Sequence, residues 1–492
     1  MPARQALLAF LLLAVPALAA DPPSRPNIVF ILADDLGYTD VACFGSKYYE
    51  TPNIDRLAKD GLKYTHGYTC GPNCQPTRAA LMSGQYGPRT GVYTVGGTDR
   101  FDTSSRPLIP TPNVTELDVN TTTVAESLKK AGYSTAMFGK WHLGQDDAHH
   151  PSKQGFDEAI VSAGQHFNFN TSPKVEVPPG TYLADFLTDK AVDFIDRNRS
   201  KPFFLYLPHF GVHAPHQAKK EIIARFKDKP AAGGHKNPIY AAMIASVDES
   251  VGRVVSKIDE LGLSKNTLII FSSDNGGVGG YTDAGVVNDG DKGGITDNAP
   301  LRGGKGMLYE GGVRVPWVAR WTGVIEPGSV STQPILSVDL HPTLLELSGA
   351  PKPENQPLDG VSLVASLKSS GKSGLTREDL FWHFPGYLGI AQNSWRTTPA
   401  SAIRHGDYKL LEFFEDGRLE LYDVVNDVGQ KHDLAKEKPE LAKDLHGRLV
   451  AWRKAVNAPI PERKDPSAPA ESPAPKKKKG KGKKAAARNA AD

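Results

Sequence analysis

The chain has 492 residues, 39% of them apolar, enough for one large domain with a sizeable core and a smaller second domain. Its net charge of +3 comes from the C-terminus: residues 463–492 hold 10 Lys or Arg against 3 Asp or Glu, which leaves the preceding chain at −4. That mildly acidic body gives no case for a nucleic-acid partner, and three cysteines are too few for a disulfide scaffold.

The first 20 residues read as a secretory signal peptide. Arg4 supplies the positive start, residues 6–15 form a short apolar run, and Ala17-Leu18-Ala19 fits the small-x-small cleavage rule. Ten apolar residues are too few to span hydrocarbon, which needs about 20. The expectation is a secreted or periplasmic protein with no transmembrane segment. Residues 27–33 then read as a buried strand ending at Asp34-Asp35-Leu36-Gly37, and similar apolar runs recur at 133–138, 203–209, 267–273 and 313–320. Between them, Leu183, Phe186, Leu187, Phe194 and Ile195 share one helix face, and Met243, Val247, Val251, Val254, Ile258 and Leu261 share another. Strands alternating with helices predict an α/β fold: a large, mostly parallel sheet with helices on both faces, here over residues 21–370. A Pro-rich stretch at 351–357 and a Ser/Gly/Lys stretch at 368–374 mark a linker. Beyond it, runs at 401–412 and 418–423 and a helical pattern at 439–455 predict a small C-terminal α+β subdomain (371–460) with an antiparallel sheet. Residues 461–492 are Pro/Ala/Lys-rich and read as a disordered basic tail.

In open parallel sheets, ligands bind beyond the carboxyl ends of the strands. Polar residues sit there after four of the predicted strands: Asp34 and Asp35, Lys140 and His142, His209 and His213, Asp274 and Asn275. Asp34, Asp35, Asp274 and Asn275 offer only oxygen ligands, which suit a hard cation, and Ca²⁺ tolerates irregular geometry better than Mg²⁺. Three clustered carboxylates repel one another unless a cation lies between them.

Residues 74–84, Cys-Gln-Pro-Thr-Arg-Ala-Ala-Leu-Met-Ser-Gly, resemble the signature of the type I, formylglycine-dependent sulfatases, an arylsulfatase-like family of the alkaline phosphatase superfamily. The Cys-x-Pro-x-Arg core is Cys74, Pro76 and Arg78. Thr77 stands where many members have Ser, and Gln75 where many have a small residue. The resemblance extends through Ala33-Asp34-Asp35-Leu36-Gly37, Gly139-Lys140-Trp141-His142-Leu143-Gly144, His213-Ala214-Pro215-His216, Ser273-Asp274-Asn275-Gly276 and Gly304-Lys305-Gly306, in the family's order. It implies an alkaline-phosphatase-like sheet and hydrolysis of sulfate esters.

The resemblance also implies that a maturase converts Cys74 to formylglycine (3-oxoalanine). The hydrated aldehyde then carries two hydroxyls on one carbon: one takes the sulfate, and deprotonating the other expels it. By the same resemblance Asp34, Asp35, Asp274, Asn275 and residue 74 bind Ca²⁺. Arg78 holds the hydrate, Lys140 and Lys305 clamp sulfate oxygens, His142 is the base for the second hydroxyl, and His213 protonates the leaving alcohol. With Cys74 converted, Cys43 and Cys70 remain as a pair whose bonding the sequence leaves open.

The substrate is less legible. His166, His216, His383 and Arg404 are polar residues on predicted loops near the pocket, and the aromatics around His383 would stack on a sugar or pack at a domain interface. An exported hydrolase of this kind points to a sulfated glycan. Two alternatives stay open at this stage: a phosphonate or phosphate ester hydrolase of the same superfamily, and a non-catalytic glycan-binding protein if Cys74 is not matured.

Overall fold

The computed structural model describes residues 25–98, 103–279, 295–391 and 394–465, with two short strands at Tyr281–Thr282 and Gly285–Val286. The expected signal peptide and nearly all of the basic tail lie outside these residues. None of the described helices is long and apolar enough to cross a membrane.

The large sheet contains β1 (Asn27–Ala33), β2 (Leu62–Tyr64), β3 (Ser134–Gly139), β4 (Glu158–Val161), β5 (Phe203–Pro208), β6 (Thr267–Ser273), β7 (Trp317–Arg320) and β8 (Ser329–Ser331). Their spatial order is β8-β2-β7-β6-β1-β5-β3-β4. Every neighbouring pair is parallel except the two that β7 makes, with β6 and β2. The mostly parallel sheet expected from the sequence is therefore present, with one reversed strand.

Because strand side chains alternate in direction, β1 feeds two cores. Val29, Ile31 and Ala33 pack with Leu187 and Phe194 of one helix (Leu183–Arg197) and with Met243 and Val251 of a longer one (Pro238–Glu260). Ile28, Phe30 and Leu32 pack on the opposite face with Val124 and Leu128 of helix Val124–Lys130 and with Leu340 and Leu344 of helix Leu340–Ser348. Local sequence sets the helix starts: Thr123 and Glu126 form a reciprocal capping box, and the Asn237 side chain accepts from the Ile239 and Tyr240 amides just ahead of Pro238 at N1.

The C-terminal sheet is antiparallel, in the order β9 (Asp379–Phe384), β10 (Ala400–His405), β11 (Tyr408–Phe413), β12 (Leu419–Asp423). Helix Pro439–Ala455 packs on it through Leu445, Leu449 and Trp452. The run 401–412, read from sequence as one strand, is a hairpin. His405 pairs with Tyr408 around a two-residue turn whose first residue, Gly406, has φ 55°, the positive φ that tight hairpins need. Strand β9 was not anticipated.

Several histidines are held neutral inside this fold. Burial pushes His66, His209 and His341 down to about 4 and His383 to about 3. In the unfolded chain each takes up a proton near the ordinary value of about 6.5. Between these limits the unfolded state binds more protons, so stability falls as pH falls from about 6.5 toward 4. Thermal melts across that window are expected to show a steadily falling Tm, with a shallower slope in His383→Gln; a flat Tm contradicts the assignment.

Candidate active site

The site lies beyond the carboxyl ends of β1, β3, β5 and β6. Four backbone bonds tie the strand ends together: the Asp34 amide to Gly211 O (2.9 Å), the Val212 amide to Asp34 O (2.7 Å), the Asp274 amide to Ala33 O (3.2 Å) and the Lys140 amide to Pro208 O (2.8 Å). Cys74 is the first residue of helix Cys74–Ser83, and Arg78 sits one turn further on the same face. A helix N-terminus favours negative charge.

Three buried carboxylates meet three buried cations here. Asp34 contacts Lys140 Nζ at 2.8 Å and Arg78 Nη2 at 3.8 Å. Asp274 Oδ2 accepts from Arg78 Nη2 and Nε at 2.7 and 3.0 Å. Asp35 Oδ2 accepts from Lys305 Nζ at 3.0 Å, and Asp35 Oδ1 from Asn275 Nδ2 at 2.9 Å. Lys140 Nζ also points at Cys74 Sγ, 3.5 Å away. Asp35 adopts a left-handed backbone (φ 64°), and its amide donates to Asp274 Oδ1 at 3.1 Å.

Burial alone raises Asp34, but Lys140, His213, Arg78 and Lys305 together hold it well below the carboxylate range. Burial, then the charge on Asp34, pushes Asp274 up to about 7. Burial opposes the charge on Lys140, and Asp34 outweighs it, so Lys140 lies above the ordinary lysine value. Burial pushes the Cys74 thiol up to about 12. An unmodified Cys74 is therefore protonated at neutral pH and a poor nucleophile.

The donor set fits a hard cation. Ligand atoms of Asp34, Cys74 and Asp274 lie within 4.8 Å of one another, as do those of Asp34, Asp35 and His213. Asn275 Oδ1 is a buried carbonyl oxygen with no hydrogen-bond partner, the kind of orphan acceptor that metal coordination satisfies.

His213 lies at the edge of the cluster. Its Nδ1 donates to Ala214 O (2.6 Å), and its Nε2 is 3.8 Å from Asp35 Oδ2. Burial and Lys140 oppose its protonation, Asp35 favours it, and the balance lies above the ordinary histidine value. His142 is half-buried, two residues past Lys140, in left-handed backbone (φ 65°).

The residues expected to hold substrate divide into two groups. His166 is buried behind His213: its Nε2 meets His213 O at 2.8 Å and its ring stacks on Phe210. His216 is half-buried, edge-on to Tyr240, and feels the Asp35 charge. His383 and Arg404 are not on loops but in β9 and β10. His383 Nδ1 pairs with Ser401 Oγ (2.7 Å) and its Nε2 with Pro459 O (2.8 Å), whereas Arg404 donates to Gly406 O (3.0 Å) and to the Tyr68 hydroxyl. Their polar groups are satisfied inside the C-terminal sheet and where it meets the large domain. His209, also at a strand end, is buried on Ser250 Oγ (2.8 Å). Cys43 and Cys70 are free thiols.

The sequence reading missed Tyr206, whose buried hydroxyl lies near Arg78, Asp274 and Asp34. A lone tyrosine in the apolar strand Phe203–Pro208 was the available signal. It also missed why glycine follows Asn275: a Cβ on Gly276 would stand 1.8 Å from Gly311 O.

A family model described as Sulfatase matches residues 26–350, and one described as N-sulphoglucosamine sulphohydrolase, C-terminal, matches residues 304–455. A sulfatase of Formosa agariphila is 36% identical over 89% of this chain and 90% of its own. N-acetylgalactosamine-6-sulfatase of Rattus norvegicus is 35% identical over 74% of this chain and 70% of its own. The crystal structure of Ps i-CgsB, also described in complex with k-i-k-neocarrahexaose, is 31% identical, with TM-score 0.72 over 87% of this chain and 93% of that one. The chain belongs to the sulfatase family, in the alkaline phosphatase superfamily, and is a sulfuric ester hydrolase.

Gly276→Ala is expected to lower stability by about 2 kcal/mol or more, because the backbones of two active-site loops must separate, and to reduce turnover. A denaturant melt and an aryl sulfate assay check this; a variant with wild-type stability contradicts the close approach.

Proposed function

We propose that the protein removes sulfate from a sulfated carbohydrate, using formylglycine derived from Cys74 as the nucleophile and Ca²⁺ held by Asp34, Asp35, Asp274, Asn275 and residue 74. The observation that carries this reading is the position of Cys74. It opens a helix, sits 3.5 Å from Lys140 Nζ and shares one buried cluster with Asp34 and Asp274. As a thiol it would be inert there, so the arrangement makes chemical sense once residue 74 is oxidised.

When bound, the cation supplies positive charge for a sulfate oxygen and for acidifying the attacking hydroxyl. The hydrated aldehyde supplies two hydroxyls on one carbon, one to accept the sulfuryl group and one whose deprotonation expels it. The remaining roles fall to the chain's own side chains. Arg78, forked on Asp274 Oδ2, fixes the first helical turn under residue 74. Lys140 and Lys305 place two ammonium groups, desolvated and therefore strong, where sulfate oxygens bind. His213 is anchored through Nδ1 on Ala214 O, and its Nε2, on the Asp35 side of the cluster, serves as the acid for the leaving oxygen. His142 takes the proton of the second hydroxyl. His166 acts through His213, by holding its carbonyl, and not by touching substrate.

A carbohydrate substrate is supported by the 31%-identical Ps i-CgsB, described with a neocarrahexaose, and by the N-acetylgalactosamine-6-sulfatase relative. His216, half-buried beside the cluster, remains a residue for the sugar side. The signal-like sequence of residues 1–20 supports a reaction outside the cytoplasm, and the reading calls for a formylglycine-generating maturase as partner. The catalytic unit is 21–370, followed by the subdomain 371–460.

A panel of defined sulfated mono- and disaccharides, with sulfate release as the readout, tests the substrate class; the matured protein is expected to desulfate at least one, and failure on all of them while aryl sulfates are cleaved would point away from carbohydrates. Cys74→Ser should lose more than about a hundredfold in turnover with Tm unchanged, since covalent catalysis is lost and packing is not; wild-type turnover would refute the covalent scheme. His213→Ala should cost alkyl sulfates at least about tenfold more than activated aryl sulfates, because a good leaving group needs little protonation. Equal losses on both would remove His213 from the acid role.

A further inference from the structure

Glu310 is fully buried and sits where three active-site segments meet. Its Oε2 accepts from the hydroxyl of Tyr68 (2.7 Å), on the segment that leads to Cys74. It opens a single helical turn, Glu310–Val313, whose Gly312 carbonyl accepts from the Gly276 amide (3.0 Å), next to Asn275. The segment that leads into this turn carries Lys305, whose own amide donates to Gly277 O (3.0 Å). The Thr69 amide donates to Val313 O (2.8 Å), closing the set. One carboxylate thus lies beneath the segments bearing Cys74, Asn275 and Lys305.

Counter-charge reaches it from two sides: Arg314 Nη1, one turn on in the same segment, lies 3.5 Å from Glu310 Oε2, and the C-terminal subdomain supplies the direct hydrogen-bonded cation. Lys409 Nζ, on β11 and fully buried, donates to Glu310 Oε1 at 3.0 Å and lies 4.6 Å from the centroid of the Trp382 ring. Gln430 Oε1 accepts from the Glu310 amide at 2.7 Å. The same loop is gripped twice more: Tyr309 donates to Glu420 Oε2 (2.7 Å), and Arg302 to the Tyr422 hydroxyl (2.8 Å) and Gln430 O (3.1 Å). A buried ion pair adds little net stability over well-packed apolar residues, because desolvation offsets the attraction. Its directional demand, however, fixes the geometry of whatever is attached to it.

We propose that Lys409 and Gln430 are positioning residues for the sulfate site: through Glu310 the C-terminal subdomain sets the placement of Lys305, and the large domain alone has an incomplete anion clamp. The inference rests on the reading of Lys305 as a sulfate clamp. A displacement of about 1 Å at a clamp costs up to a hundredfold in rate.

The test uses the full chain carrying Cys74→Ala, so that no turnover or maturation is needed, with inorganic sulfate as the probe in calorimetry in calcium-containing buffer. Lys409→Met is expected to weaken sulfate binding about tenfold, and Gln430→Met, a milder change that keeps the ion pair, about threefold, as graded misplacement of the clamp predicts. A purely structural role would lower Tm without moving sulfate affinity, so unchanged affinity in the folded variants overturns the inference. Loss of binding in Lys305→Ala but not in Lys409→Met or Gln430→Met also overturns it and leaves the proposed function standing. No sulfate binding in the Cys74→Ala parent overturns the inference and leaves the proposed function, in which residue 74 itself takes part, to the sulfate-release assay.

Discussion

Everything at the active end of this molecule depends on three carboxylates and three cations sharing one buried volume. Asp34, Asp35 and Asp274 would drive one another apart, as would Arg78, Lys140 and Lys305; interleaved, each makes the others tolerable. At about 3–4 Å, a pair of unit charges is worth on the order of 4 kcal/mol at the effective dielectric of a protein. Removing each ion from water costs several kcal/mol. The cluster therefore gains little stability from its pairings, and apolar residues of similar volume would serve the fold as well. What the pairing does provide is a set of ammonium groups and carboxylates already stripped of water, which on the proposed function would exchange partners with a cation and an anionic ester.

The sheet makes that possible. Backbone bonds fix the ends of β1, β3, β5 and β6 against one another, so the side chains that follow each strand emerge at the same level. Where loops must approach still closer, side chains are omitted: Gly276 lies against Gly311, and a Cβ on Gly312 would stand 2.0 Å from Met307 O. The C-terminal subdomain closes the arrangement from outside, gripping the Lys305 loop through Arg302, Tyr309 and Glu310.

Much of this could be read from the chain itself. The apolar run at 27–33 is buried at every position, as a central parallel strand must be, and the polar residues after it were placed by the strand-end rule. The residues that misled did so for one reason: sequence gives a residue's type and neighbours but not its partners. His209, His383 and Arg404 have the chemistry of site residues, yet each is engaged by a group 41, 18 or 76, and 336 residues away in sequence, respectively. Strand β9 escaped notice because Phe381-Trp382-His383-Phe384 has no alternation of apolar and polar residues; it is the edge strand of the antiparallel sheet, paired with β10, and its Trp382 donates to Thr69 O of the large domain. Tyr206 and Glu310 lie buried beneath the cluster; a lone tyrosine in an apolar strand is the one local signal for the first, and nothing in the local sequence marks the second.

The account stands or falls on the cluster being a single cradle for a divalent cation and an anion. Calcium titration by calorimetry on the full chain, with and without inorganic sulfate, measures this directly. The account predicts one calcium ion per chain, tighter binding when sulfate is present, and loss of both effects in Asn275→Leu. A protein that takes up no calcium, or whose calcium affinity is indifferent to Asn275 and to sulfate, contradicts it.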